Sequence, residues 1–207
     1  MSSKKQSPGT EKADLIEKLF SEKKFEEALD FAQHQEMLTD EDEHWAVVEI
    51  ITLLALNRPE HARAVYRRNM GLARSGSILG AIWEINLAYL QRNFKDFFEK
   101  SQPGKLDLFS VLLIGMREAV ANHHINIIER SCTSILLEKV QELTGYTAQE
   151  ATTICQQKGW QVDKSKEGTI VIIPEAIHLL AKTNAAQSEI NDAEFLQVLT
   201  NIIATAS

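Results

Sequence analysis

Few residues of this chain combine the types and the spacing that catalysis or metal binding requires. His123 and His124 are adjacent, and neighbours on a helix point about 100° apart, so their imidazoles cannot share a metal as histidines four positions apart do. The chain contains neither a His-Glu-x-x-His nor a Cys-x-x-Cys sequence. Gly71, Gly76 and Gly80 do not follow a predicted strand, as the glycines of a phosphate-binding loop do. The sequence therefore predicts no catalytic residue, no metal site and no cofactor.

Other polar and aromatic residues have structural explanations. The acidic residues 41–43 lie at a predicted helix start, where carboxylates interact favourably with the helix dipole. Cys132 and Cys155 are the only cysteines and lie in helical patterns, so we expect two small apolar side chains and no disulfide. The tryptophans lie within apolar periods and are predicted core residues: Trp45, Trp83 and Trp160.

The first half of the chain has the apolar period of packed helices. Residues 1–10 are polar and are predicted to be a disordered tail. Helices are then predicted to open at Phe25, Pro59 and Phe94, which lie 34 and 35 residues apart (25 to 59, 59 to 94). That period is typical of stacked helix–turn–helix repeats of the tetratricopeptide type. We therefore predict a helical-repeat region over residues 11–122, with broad surfaces for another protein.

The region after residue 103 has the order of a winged helix. Apolar helices are predicted at 106–120 and 125–137, followed by a short helix at 138–143 that stops at Gly145. Thr147 and Glu150 form a capping box for a helix that ends near Gly159. Val162 and residues 169–173 are predicted strands on either side of a charged turn. We place the winged-helix subdomain at residues 123–175.

Winged helices commonly read DNA, but the charges of this one do not favour that function. The candidate recognition helix, residues 147–158, carries one acid, Glu150, and one base, Lys158. Major-groove binding needs basic flanks that hold phosphates, and Lys164 and Lys166 are offset by neighbouring acids. A winged-helix DNA-binding regulator remains an alternative, with duplex binding at low salt as its test.

The last segment, residues 176–207, is predicted to be a linker followed by a helix with a broad apolar face. An exposed apolar face of this size indicates contact with other subunits, although packing onto its own domain stays open. The face consists of Ile190, Phe195, Leu196, Leu199, Ile202 and Ile203, with Val198 beside it.

Composition excludes several classes of protein. The net charge of −7 over 207 residues argues against a dedicated nucleic-acid binder. The start of the sequence is polar, without the apolar core of a secretory signal, and the most apolar stretch, residues 46–56, contains Glu49 and Thr52, so no membrane span is expected. We expect a protein of the cytoplasm and nucleus that acts on no small-molecule substrate.

Several stretches resemble the PCI-domain family, in which helical repeats lead into a winged helix. They are 61–68 (HARAVYRR), 80–83 (GAIW), 91–94 (QRNF), 131–135 (SCTSI) and 157–163 (QKGWQVD). This family comprises scaffolding subunits of the COP-9 signalosome, the proteasome lid and eukaryotic initiation factor three. Among these, the stretches resemble the signalosome members most, and the other two complexes stay open.

The resemblance implies a mainly α fold with tetratricopeptide-like repeats, a winged helix and a C-terminal helix. It also implies a non-catalytic subunit of a complex that removes the modifier Nedd from cullins, with other PCI subunits as partners. In such complexes, winged-helix edges associate side by side and C-terminal helices gather in a bundle. An open strand edge can pair with a partner's strand, so we expect the partner edge to consist of Thr169, Ile170, Val171, Ile172 and Ile173.

Overall fold

The computed structural model describes residues 8–39, 43–73, 76–165 and 168–173. These residues form a mainly α-helical fold with one small sheet, which confirms the predicted fold class. The helices are α1 (Pro8–Ser21), α2 (Phe25–Leu38), α3 (Glu43–Ala55), α4 (Pro59–Arg68), α5 (Ile78–Leu90), α6 (Phe94–Lys100), α7 (Ser110–Ser131), α8 (Leu137–Thr144) and α9 (Ala148–Gln157). The strands are β1 (Ser134–Leu136), β2 (Gln161–Ser165) and β3 (Gly168–Ile172).

The chain divides into two compact units. One, the helical unit, extends to His123 and includes Glu142–Gly145; the other, the winged-helix unit, consists of His124–Gln141 and the residues from Tyr146 onward. Helices α7 and α8 each contribute residues to both. The sequence placed its domain boundary between residues 122 and 123.

The core of the helical unit is built around α3. Every residue from Trp45 through Leu54 is buried, as expected for a helix that is apolar on all sides, and α3 packs against α2, α4 and α5. Polar groups in this run have partners: the Thr52 hydroxyl donates to the Val48 carbonyl at 2.7 Å, and the Gln33 amide donates to the Glu49 carboxylate at 2.9 Å. This arrangement leaves α2 and α4 as the two helices that flank one side of α3.

The predicted repeat is confirmed by the helix starts, because α2, α4 and α6 begin at Phe25, Pro59 and Phe94. The structure adds a repeated turn before each of them. Lys23, Asn57 and Arg92 all have left-handed backbones, with φ of 59°, 57° and 57°. In each turn, the N–H of the next residue donates to a carbonyl five residues earlier, at 2.8–2.9 Å. These are Schellman turns, which end one helix and direct the chain into the next.

Two expectations for the region after residue 103 are wrong. The helices predicted at 106–120 and 125–137 are one continuous helix, α7, preceded by two short 3₁₀ turns. No glycine or proline lies between residues 120 and 125, so nothing in the sequence stops the helix there. Residues 134–136 form β1 and not a helix, because a short apolar run fits either element and the pairing with β3 decides.

The rest of the winged-helix unit follows the predicted order. The Thr147 hydroxyl accepts from the Glu150 N–H at 3.3 Å while the Glu150 carboxylate accepts from the Thr147 N–H at 2.9 Å, so the capping box of α9 is confirmed. Gly145 and Gly159 have φ of 69° and 74° and follow the ends of α8 and α9, as predicted for left-handed stops. Strands β2 and β3 then form the wing.

The terminal predictions have different outcomes. The disordered tail predicted for residues 1–10 is wrong for residues 8–10, because α1 begins at Pro8; proline has the backbone angle that the first helical position needs. Residues 1–7 lie outside the described residues. The linker and apolar helix predicted for residues 176–207 also lie outside them.

Candidate protein-docking surfaces

The sheet of the winged-helix unit has the order β1-β3-β2, so β3 is its central strand. It pairs antiparallel with β1 on one side and with β2 on the other, and the Ile173 N–H donates to the Thr133 carbonyl at 3.0 Å. The expectation that residues 169–173 form an open edge is therefore wrong, because both neighbours use the backbone groups of β3. Among the described strands, the edges are β1 and β2.

The side chains of β3 alternate between two environments. Val171 and Ile173 are buried, with 0% and 3% exposure, and Thr169 lies on the same side of the strand. These side chains contribute to the unit's own core, so the expectation that Val171 and Ile173 meet a partner is wrong. Ile170 and Ile172 point to the opposite, outer face, because successive side chains of a strand alternate.

The outer face of the sheet carries an apolar patch. Leu136 of β1 pairs with Ile170 of β3, so their side chains are cross-strand neighbours, and Ile172 lies two positions further on the same face. Leu136 is 49% exposed and Ile172 is 38% exposed. We call Leu136, Ile170 and Ile172 the outer patch. Leu136 is not among the interface residues predicted from the sequence, because residues 125–137 were expected to form a helix and Leu136 lies in β1.

Helix α9 offers little to a DNA backbone. The Lys158 ammonium lies 3.0 Å from the Glu129 carboxylate, so the base that the sequence placed in this helix is paired within its own unit. The capping box gives the Glu150 carboxyl a lowered pKa, because the Thr147 N–H and hydroxyl donate to its carboxylate. An ionised carboxylate therefore lies at the N-terminus of α9, and its charge repels phosphate.

A groove in the helical unit runs between the parallel helices α2 and α4, above α3. It has a volume of about 280 Å³, and an Arg–Glu pair crosses it at each end. At one end, Arg58 donates to both Glu26 oxygens, at 3.1 and 2.6 Å. At the other end, Arg68 donates to Glu36. We call this cleft the α4 groove; its lining includes Leu29, Gln33, Glu49, Leu53, His61, Ala64 and Val65.

The floor of the α4 groove contains a buried carboxylate. The Glu49 side chain is 1% exposed, and its carboxylate accepts hydrogen bonds from Arg68 and, at 2.9 Å, from the Gln33 amide. Burial raises the pKa of Glu49 and outweighs the opposite effects of Gln33 and Arg68. A carboxylate in an apolar helix requires such partners, so the position of Glu49 within the apolar stretch 46–56 is the sequence feature from which this site could be predicted.

The contacts between Glu36, Glu49 and Arg68 lower the pKa of Glu36 and raise the pKa of Arg68. Burial raises the pKa of Glu36, but hydrogen bonds from Arg68 and Asn69 and the Arg68 charge together lower it. The pKa of Arg68 is raised despite its partial burial, since both carboxylates stabilise the guanidinium. One cation thus connects α2, α3 and α4 through two acids, and the more exposed acid, Glu36, holds the charge more strongly.

The adjacent histidines, His123 and His124, contact other residues of the fold and do not form a metal site in the described residues. The Asn57 amide nitrogen lies 3.0 Å from His123 Nε2, and its oxygen accepts from the Tyr89 hydroxyl at 2.5 Å; burial raises the pKa of Tyr89 to about 12. His124 is buried. In the part of the chain that the structure describes, no cluster of three or more His, Cys, Asp or Glu residues could hold a metal ion.

The remaining predictions of core residues are confirmed in part. Trp45 and Trp160 are buried, but Trp83 is half-buried and stacks on Tyr66 with ring centroids 4.3 Å apart. Cys155 is buried and Cys132 half-buried, and both are free thiols; burial raises the pKa of the Cys155 thiol, which keeps it protonated.

The Glu43 carboxylate accepts from the Leu79 N–H at 3.1 Å, so it caps α5 as well as beginning α3. Residues 41–42 lie outside the described part.

The fold and these surfaces define a PCI-type subunit, in which a helical region leads into a winged helix. The chain belongs to the CSN8/PSMD8/EIF3K family, whose model matches residues 46–179. That match extends from α3 through the three strands that the structure describes. Members of this family are non-catalytic subunits of multi-subunit PCI complexes. No curated protein matches the chain in sequence, and none of the described helices is long and apolar enough to cross a membrane.

Proposed function

We propose that this chain is a non-catalytic scaffold subunit of the COP-9 signalosome, the complex that removes the modifier Nedd from cullins. The observation that carries the proposal is the family match over residues 46–179, combined with the sequence stretches that resemble signalosome subunit eight. The same family includes a subunit of the proteasome lid and one of initiation factor three, and these are the alternatives. The proposed location is the cytoplasm and nucleus.

The proposed mechanism is assembly through two surfaces. The first is the outer patch of the sheet, in which the exposed Leu136 and Ile172 and the half-buried Ile170 have the apolar character of an interface core. The second is the apolar face of residues 190–203, which we propose to bind helices of other subunits. Neither surface needs a cofactor or a reactive side chain, so the proposed activity is that of a scaffold and not of an enzyme.

Co-purification of the tagged full chain from cells, followed by mass spectrometry, tests which complex contains it. The proposal predicts that signalosome subunits are recovered in equal proportion to the chain. Recovery of proteasome lid subunits or of translation factors in that proportion would replace the proposal with one of its alternatives. Recovery of none of the three would reject the scaffold function itself.

Deletion of residues 191–207 tests the second surface. The truncated chain should remain folded, because the family match ends at residue 179, and should no longer enter the complex. A second variant tests the same face without changing the chain length. It replaces Leu196, Leu199 and Ile202 with serine. Normal assembly of both variants would exclude this segment as a docking surface.

A further inference from the structure

We propose that α4 and the α4 groove bind a short acidic peptide segment that carries one aliphatic side chain. This interaction would be additional to the two assembly surfaces above, and it does not depend on which PCI complex contains the chain. It rests on three features of the helical unit: the positive charge of α4, the lack of strong ion-pair partners for two of its arginines, and the apolar side chains that line the groove.

The charge of α4 differs in sign from that of the whole chain. The helix carries Arg63, Arg67 and Arg68 and a single acid, Glu60, whereas the chain has a net charge of −7. Arg63, Arg67, Arg68 and Glu60 also line an open depression of about 510 Å³ on the outer side of the helix. A local basic surface on an acidic protein selects for a short anionic partner, because longer anions meet repulsion from the rest of the molecule.

Two of the arginines lack strong partners in the part of the chain that the structure describes. Arg67 is exposed and forms no ion pair there. Arg63 lies 3.6 Å from Glu60 of its own helix, and both side chains are substantially exposed, so this pair contributes little. Arg68, in contrast, is held by Glu36 and Glu49. Arg63 and Arg67, four residues apart on one face, are therefore the cations available to a ligand.

The groove provides an apolar site beside these cations. Ala64 and Arg68 line both the outer depression and the α4 groove, so the two are continuous across α4. Because the Ala64 side chain is small, it does not block the passage between the depression and the groove. On the groove side of α4, the lining includes Leu29, Leu53 and Val65. A volume of about 280 Å³ accommodates one aliphatic side chain with part of its backbone.

These dimensions favour a peptide over a nucleic acid. A ten-residue helix such as α4 is about 15 Å long, a length that an extended peptide covers with about five residues. A nucleic acid would need a longer track of cations, and Glu26, Glu36 and Glu60 interrupt such a track. An acidic peptide can place its carboxylates on Arg63 and Arg67 and its aliphatic side chain over Ala64.

Fluorescence anisotropy with the full chain tests the proposal. The probe is a fluorescein-labelled peptide, Glu-Asp-Leu-Glu-Glu, compared with Glu-Asp-Ser-Glu-Glu and with a thymidine oligonucleotide of about five residues. We expect saturable binding of the leucine peptide with a Kd below about 1 mM. The serine peptide should bind at least about threefold more weakly, since it loses the contact with the apolar wall.

Charge-reversal variants locate the site. Arg63→Glu/Arg67→Glu should weaken binding of the leucine peptide at least about tenfold, while Lys95→Glu/Lys105→Glu, with the same change in net charge at exposed lysines outside α4, should change it less than about twofold. Absence of saturable binding, equal losses in both variants, or tighter binding of the oligonucleotide would each overturn the proposal. None of these results bears on membership of a PCI complex, which the co-purification tests separately.

Discussion

Gly145 shows, at the scale of one residue, how a backbone position and a packed neighbour together fix a residue type. Its φ is 69°, a left-handed conformation that side chains rarely adopt. A Cβ atom added there would overlap Cγ of Phe98, whose ring is buried. Arg117 holds that ring in place, since its guanidinium lies 5.2 Å from the ring centroid and donates to the Phe98 carbonyl.

Gly145→Ala should therefore lower the free energy of unfolding by about 3 kcal/mol, the combined cost of a left-handed alanine and an overpacked core. Urea unfolding followed by circular dichroism measures the change. Gly104→Ala is the matched control, because an added Cβ meets nothing within 4 Å there, and it should change the free energy by less than about 0.5 kcal/mol. A similar loss in both variants would contradict the argument from Phe98.

Glu49 makes a separate prediction, on pH dependence. Its pKa is raised by burial, so the folded state binds this proton more tightly than the unfolded state does. The contribution of Glu49 is then fully present below the ordinary glutamate value of 4.5 and is lost as pH rises through the raised pKa. Glu36 has the opposite effect on stability, because its pKa is lowered. Its contribution is present above pH 4.5 and is lost as pH falls through the lowered pKa.

Above a pH of 4.5, wild-type protein should thus lose stability relative to Glu49→Gln as pH rises. Glutamine keeps oxygen and nitrogen near Gln33 and Arg68 but does not titrate. Urea midpoints measured between about pH 5 and about pH 8 provide the comparison, with Glu60→Gln, an exposed acid of α4, as control. A constant difference between wild type and Glu49→Gln over that range would show that the Glu49 pKa is not raised.

At the scale of elements, the repeated Schellman turn explains why the helical unit shows a period without a full repeat consensus. Each turn needs one left-handed residue and a pair of backbone hydrogen bonds, and Lys23, Asn57 and Arg92 provide that residue without being glycine. Their side chains tolerate this conformation at a cost of roughly 1 kcal/mol each. The period therefore lies in the backbone geometry and in the helix starts, and only weakly in residue identity.

Arg92→Gly should raise the free energy of unfolding by about 0.5–1 kcal/mol, because glycine adopts φ of 57° without steric cost. Gln91→Gly, one residue earlier, is the control: Gln91 has a right-handed helical backbone with φ of −78°, so glycine there should lower stability by about 0.5–1 kcal/mol. Thermal unfolding of the two variants gives the sign directly. A loss of stability in Arg92→Gly would show that the arginine side chain stabilises the folded state by more than its left-handed backbone destabilises it.

At the scale of the whole molecule, the placement of β1 decides which surface the winged-helix unit offers. Because β1 pairs with β3, the predicted edge strand is internal and the apolar side chains of its outer face, Ile170 and Ile172, lie beside Leu136. The unit therefore presents a sheet face as its apolar surface, with β1 and β2 as the edges among the described strands.

Ile172→Lys should leave the chain folded and reduce its entry into the complex at least about fivefold, because a charge at the centre of an apolar interface is poorly solvated. Co-purification of tagged variants measures the entry. Gln149→Lys adds the same charge at an exposed position of α9 and should assemble normally. Val171→Lys should instead unfold the unit, since Val171 is fully buried. Normal assembly of Ile172→Lys would exclude the outer patch as a docking surface.

The sequence alone determined the local features of this protein. The helix starts at Phe25, Pro59 and Phe94, the capping box at Thr147 and the left-handed stops after α8 and α9 depend on neighbouring residues, and such signals can be read from the residue types. The low net charge of α9 also follows from the sequence, and it favours protein partners over DNA.

Only the tertiary structure decided the features that depend on distant pairing. Residues 134–136 fit a helix or a strand equally well, and β3, more than thirty residues later, makes them a strand. The Arg68 bridge to Glu36 and Glu49 likewise joins three helices. Periodicity reports which face of an element is apolar but not which element covers it, so the internal position of β3, the outer patch and the α4 groove all required the assembled fold.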